Sequence, residues 1–120
     1  MRIERELMRG AGPVAILTLL SQREMYGYEL VEMLASRTDG VLAMGQSTLY
    51  PLLYNLEAKG HVQSERRRAE NGRERKYYGL TGAGRRRLKE DGAQWQAVTG
   101  AMQSLGVVNG RMGSLATHFA

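Results

Sequence analysis

Ten cationic side chains crowd into residues 61–90 of this chain: Arg66, Arg67, Arg68, Arg73, Arg75, Lys76, Arg85, Arg86, Arg87 and Lys89. Only Glu65, Glu70, Glu74 and Glu90 oppose them, so that segment carries +6 while the other ninety residues sum to −1. Nearly all of these cations are arginine, the planar fork that suits phosphate oxygens and base edges better than lysine does. The chemistry this implies is capture of a polyanion, with nucleic acid as the leading partner class. Catalytic chemistry is poorly supplied by comparison. The chain has no cysteine, which removes thiolate nucleophiles, disulfides and cysteine-held zinc. His61 and His118 are too far apart in sequence for a spaced metal pair, and no carboxylate pair stands out on an apolar element. Gly82-Ala83-Gly84 lacks the strand-to-phosphate context of a nucleotide-binding loop. No enzyme, metal or cofactor is expected.

A second group of residues could read what the arginines hold. Gln46 to Gly60 shows helical period, with Leu49, Leu52, Leu53 and Leu56 in one stripe and Gly45 before it as a cap. The opposite side holds Ser47, Pro51, Tyr54, Asn55 and Ala58, flanked by Thr48 and Tyr50. An ordinary solvated helix face would carry Glu and Lys. This one offers hydroxyls and an amide, the groups that bond phosphates and base edges. Gln46, Ser47, Thr48, Tyr50, Tyr54 and Asn55 are therefore the candidate reading residues, although Tyr50 could equally be half core. Pro51 inside the helix should cost one backbone hydrogen bond.

The elements that position these residues follow from local signals. At 120 residues and 13.4 kDa the chain is sized for one compact domain. Its apolar share of 42% and charged share of 24% are those of a folded protein. The longest apolar run, Pro13 to Leu20, is far below membrane-span length, and the opening residues lack a signal-peptide core. A cytoplasmic protein without a membrane partner is expected. Residues 2–9 are compatible with a short helix or a frayed arm. Gly12 as cap and Pro13 at the first helical position start a buried helix through Leu20, and a turn spans Ser21 to Met25. A second helix opens at Tyr26-Gly27-Tyr28-Glu29-Leu30 and stops at Asp39-Gly40.

After the candidate reading helix, Val62–Arg67 and Arg75–Leu80 form a hairpin around Asn71-Gly72, whose residues both tolerate positive φ. Its arginine-rich tip would grip phosphates through Arg66, Arg67, Arg68, Arg73, Arg75 and Lys76. Thr81 caps a last helix to about residue 106, with Leu88, Trp95, Val98, Met102 and Leu105 on one seam and Met112 further on. A loosely held tail follows. Three helices, a hairpin and a helix make a mainly α fold, a winged helix-turn-helix plus a C-terminal dimerisation helix. The expected division is a DNA-binding domain over 1–81 and a dimerisation helix with tail over 82–120.

At this point the sequence resembles the PadR-like family of transcriptional regulators. The resemblance rests on Tyr26-Gly27-Tyr28-Glu29-Leu30, on Ser47 through Gly60, and on Arg75-Lys76-Tyr77-Tyr78-Gly79-Leu80-Thr81-Gly82-Ala83-Gly84. These stand in order and at the usual spacing over residues 10–105. It implies a homodimeric repressor that binds double-stranded DNA at a palindromic operator and is often relieved by a small aromatic effector. The short C-terminal part is similar to the compact branch, which has one dimerisation helix. In such members flat aromatic compounds bind between paired tryptophans, which assigns Trp95, Val98, Met102 and Met8 as effector-lining candidates. Packing without a ligand is the other reading of Trp95. The alternative function is a winged helix used only for protein–protein contact.

Overall fold

The computed structural model describes residues 1–109, so the expectations for Met112, His118 and the end of the tail lie outside the described residues. The elements run α1 (Arg5–Gln22), β1 (Met25–Tyr26), α2 (Gly27–Arg37), α3 (Gln46–Ala58), β2 (Val62–Arg68), β3 (Glu74–Leu80) and α4 (Gly82–Leu105). This is the winged helix-turn-helix with a following helix that the sequence predicts. Among the described residues no helix is long and apolar enough to cross a membrane.

The first helix departs from expectation at its start. It begins at Arg5 and carries Pro13 in its interior. Gly12 is not a cap: it is buried in the helix, and a Cβ there would stand 3.2 Å from Leu52 of α3. The glycine lets two helices approach, and Pro13 next to it suits a helix whose following turns are held by the core. Ile16, Leu17, Leu19 and Leu20 are buried, whereas Thr18 is exposed, so the helix is not apolar all round.

The expected turn at Ser21–Met25 is also corrected. Helix α1 runs on through Gln22, and Met25–Tyr26 forms a two-residue strand. It pairs antiparallel with β3, Met25 opposite Tyr78 and Tyr26 opposite Tyr77. The hairpin is thus part of a three-stranded sheet of order β1-β3-β2. Two residues carry no readable alternation, so only the long-range pairing reveals this strand. Helix α2 starts one residue later than expected, with the Tyr26 N–H donating to the Glu29 side chain at 3.2 Å.

Each hairpin strand is one residue longer than predicted, with Arg68 opposite Glu74. The turn needs positive φ only at Gly72 (83°), and Asn71 does not adopt it. Instead the Asn71 side chain accepts the Arg73 N–H at 3.0 Å, and Gly72 N–H donates to Ala69 C=O. That is a type I turn followed by a left-handed glycine, the longer of the common hairpin closures.

The core joins Ile16, Leu17, Leu30, Leu34, Leu49, Leu53 and Leu56 to Met25, Val62, Tyr78 and Leu80 from the sheet. Thr81 caps α4 as predicted, accepting the Gly84 N–H at 2.9 Å while donating to the Gly60 carbonyl at 2.6 Å. The chain divides into two compact units, Met1–Leu88 and Lys89–Ala120. The first unit takes in the opening turns of α4, where Gly84 is buried and Leu88 packs on its core.

Candidate nucleic-acid interface

Helix α3 buries Leu49, Leu53 and Leu56, keeps Leu52 partly buried and turns Gln46, Ser47, Thr48, Pro51, Tyr54, Asn55 and Ala58 to solvent. Among the exposed residues of α3 none is charged. Pro51 has no N–H to offer the Ser47 carbonyl, which leaves an acceptor on this exposed face. Tyr50 stands apart from the others. It is half-buried, with its hydroxyl end packed against Gly27 so closely that a Cβ there would overlap it. Its ring lies 6.1 Å from that of Tyr54, which is 54% exposed. Gly27 is a contributor that sequence reasoning treats only as part of a helix start.

The antiparallel register sorts the hairpin cations onto two faces, because directly opposed residues share a face and alternate ones do not. Arg66 opposes Lys76 and Arg68 opposes Glu74 on the face that continues from Val62, Ser64 and Tyr78. Arg67 opposes Arg75 on the other face, with Glu65 and Tyr77. The first of these faces adjoins α3. Lys76 Nζ lies 5.6 Å from the Tyr54 ring and 4.0 Å from Glu57, and the Ser64 hydroxyl donates to Glu57 at 2.6 Å. Arg66 stands 3.5 Å from Glu74, an exposed pair of little energetic weight. Arg68 and Arg73 are exposed and have no ion pair among the described residues. So Arg66, Arg68 and Lys76 flank the uncharged face of α3, and Arg73 sits at the tip.

The second face is occupied differently. Arg67 Nη2 donates to both Glu24 oxygens, at 2.9 and 3.0 Å, and to Glu65 at 2.9 Å. The Glu65 and Glu24 carboxylates raise its pKa above the ordinary guanidinium value. Its guanidinium also lies over the Tyr77 ring, and that of Arg75 lies 4.4 Å from the Tyr26 ring. No local signal points to Glu24, since 43 residues separate it from Arg67. Glu65 is legible in principle, because residues two apart on a strand share a face.

Tyr78 sits beneath the junction of α3 and the hairpin, 1% exposed, its hydroxyl without a hydrogen-bond partner among the described residues. Burial, reinforced by the Tyr54 hydroxyl and the Glu57 carboxylate, pushes its pKa up to about 12. The neutral form is favoured in the fold, so this contribution to stability is whole below the unfolded value near 10 and is lost as pH rises through about 12. Tyr78→Phe is expected to melt at the same or a higher temperature at pH 7, because it removes an unsatisfied buried group worth about 1–3 kcal/mol. Its melting temperature should also fall less than that of the parent between about pH 10 and 11.5. Parallel curves would show that another group governs the alkaline loss.

Of the effector candidates, Met8 packs partly buried on the core of the first unit. In the second unit Trp95, Val98, Met102 and Leu105 are 42%, 51%, 39% and 77% exposed on one side of α4. Trp95 is therefore not a core residue of the single chain. Leu88, expected on the same seam, is partly buried against the core instead. Arg85, Arg86 and Arg87 are exposed on the opening turns of α4.

Comparison with known proteins bears on this arrangement. Residues 16–90 match the family model described as the Transcriptional regulator PadR-like family. A transcriptional regulator of Mycobacterium tuberculosis is 39% identical over 87 residues, 72% of this chain and 78% of that protein. A PadR family transcriptional regulator from Eggerthella lenta superposes with a TM-score of 0.73 at 36% identity, covering 87% of this chain and 88% of that one. Bacillus subtilis PadR in complex with operator DNA superposes with a TM-score of 0.62 at 26% identity, over 67% of this chain and 44% of that one.

Proposed function

The chain belongs to the Transcriptional regulator PadR-like family, and from that premise we propose that it is a ligand-responsive repressor binding a palindromic operator as a homodimer. One observation carries the reading: an exposed, uncharged polar helix face is flanked by Arg66, Arg68 and Lys76 on the adjoining face of the hairpin. Helix α3 enters the major groove, where Tyr54 and Asn55 read base edges and Ser47 and Thr48 bond the backbone. Arg66, Arg68, Arg73 and Lys76 hold the flanking phosphates. The Bacillus subtilis neighbour, solved with operator DNA, supports the same use of the fold.

Homodimerisation rests on α4. Trp95, Val98, Met102 and Leu105 form an exposed apolar stripe that a second copy would cover across a two-fold axis. The two copies of α3 would then reach successive major grooves about 34 Å apart. Paired Trp95 rings at such an axis make a site for a flat aromatic effector, with adaptable Met102 beside them. Quenching of Trp95 fluorescence by planar aromatics, together with release of DNA, is the expected effector response. A dimer whose fluorescence ignores a broad panel would make Trp95 a packing residue only.

The deciding experiment is a gel shift on a duplex selected by the protein from a random-sequence pool, against a scrambled duplex. Wild-type protein is expected to prefer the selected site. Tyr54→Ala and Asn55→Ala should lose about 1–3 kcal/mol of discrimination for each base-edge hydrogen-bond pair removed while keeping non-sequence-specific binding. Equal affinity for both duplexes would favour a protein–protein module instead.

A further inference from the structure

The arginines of the hairpin do not all hold DNA. We infer that Arg67 and Glu24 are positioning residues, which set the hairpin against the start of α2 and thereby place Arg66, Arg68 and Lys76 beside α3. This rests on the DNA-binding reading above and divides the basic segment within it.

The geometry assigns the roles. A single nitrogen of Arg67 is shared between Glu24 and Glu65, at 2.9–3.0 Å. Two carboxylates take up the Arg67 guanidinium, and with Arg75 opposite it the face sums to zero, so its donors are already occupied and it offers a phosphate no net attraction. Glu24 belongs to the link between α1 and β1, so the contact ties β2 to the strand that leads into α2. Glu24 reaches Arg67 by lying across β3 at Gly79, where a Cβ would come within 3.2 Å of its carboxylate. The aromatic layer below repeats the tie: Tyr77 of β3 meets Tyr26 of β1 edge to face at 5.5 Å, and Arg75 covers Tyr26. Tyr26 in turn is held at its N–H by Glu29 of α2. All of this lies on the sheet face opposite the one that carries Arg66 and Lys76.

Charge removal at Glu24 separates the two possible jobs of Arg67 by sign. If Arg67 bound phosphate, Glu24→Gln would release it from a competitor and tighten DNA binding. As a positioning pair, both Glu24→Gln and Arg67→Ala weaken binding, by about two- to fivefold for an exposed ion pair. The slope of log affinity against log salt stays unchanged, because every phosphate stays neutralised. Arg66→Ala is the contrast and should reduce that slope by about 0.9 for each phosphate it releases.

The experiment is fluorescence anisotropy with the selected duplex at several salt concentrations, combined with amide hydrogen exchange of β1 and β3 in the free protein. Exchange is expected to quicken about two- to fivefold in Glu24→Gln and Arg67→Ala. Tighter binding by Glu24→Gln together with a shallower salt slope for Arg67→Ala would overturn the inference, as would unchanged exchange in both variants. Wild-type protein that binds no duplex would defeat the DNA-binding reading, and the exchange measurement would still report on the tie.

Discussion

Raising the salt concentration from about 50 to 200 mM is expected to weaken binding to the selected duplex by about 10³–10⁵. The size follows from counting. Arg66, Arg68, Arg73 and Lys76 give each subunit about four cations facing the flanking backbone, so a dimer neutralises roughly 6–10 phosphates. Each phosphate neutralised releases condensed counterions, and bulk salt opposes that release. Hydrogen bonds from Tyr54 and Asn55 carry no such dependence, so the steep part of the salt curve belongs to the hairpin. In the triple variant Arg66→Ala, Arg68→Ala, Lys76→Ala the slope should become shallower by about 0.9 for every phosphate left without its cation, on both half-sites. Fluorescence anisotropy across a salt series measures both. A slope near zero in the wild-type protein would remove the electrostatic basis of the mechanism.

Gly84→Ala is expected to destabilise the domain severely for the addition of one methyl group. Gly84 is the third residue of α4, and a Cβ there would overlap the His61 carbonyl oxygen and stand 2.8 Å from a Leu80 methyl. The His61 carbonyl cannot swing aside, because it accepts the Thr81 N–H at 3.1 Å and its own N–H donates to Leu56 C=O. Alanine's better helix propensity returns only about 1 kcal/mol. Overpacking against fixed backbone costs about 3 kcal/mol or more, so the clash wins. A drop in melting temperature of roughly 10 °C follows for a domain of this size. Gly100→Ala is the control, since nothing lies within 4 Å of its Cβ position, and it should gain about 0.5–1 kcal/mol. Equal melting temperatures for both variants would show that α4 shifts to accommodate the methyl.

The two glycines carry a lesson about legibility. Both stand in α4, and helix propensity alone gives any two interior glycines the same penalty. Only the partner surface distinguishes the one that admits a neighbouring backbone from the one that faces open space. Gly12 shows the same limit: beside Pro13 it reads as a helix start, yet it serves the close approach of Leu52 within a longer helix. Helix α3 is readable almost to the residue, because its leucine period, its preceding Gly45 and its terminal Gly60 are all local signals. The same locality makes the Thr81 cap legible.

By itself, then, the sequence determined the main helices and the hairpin, which side of α3 faces outward and where the positive charge collects. Those properties depend on residues within one or two turns of each other. The tertiary structure alone decided how that charge is divided between the two faces of the sheet. Glu24 reaches Arg67 only because a two-residue strand, invisible to any periodicity, docks against β3 and carries a carboxylate across 43 residues of chain. A run of three arginines reads as a single patch along the chain. Once the strand is paired, its pleat sends Arg67 to the opposite face from Arg66 and Arg68.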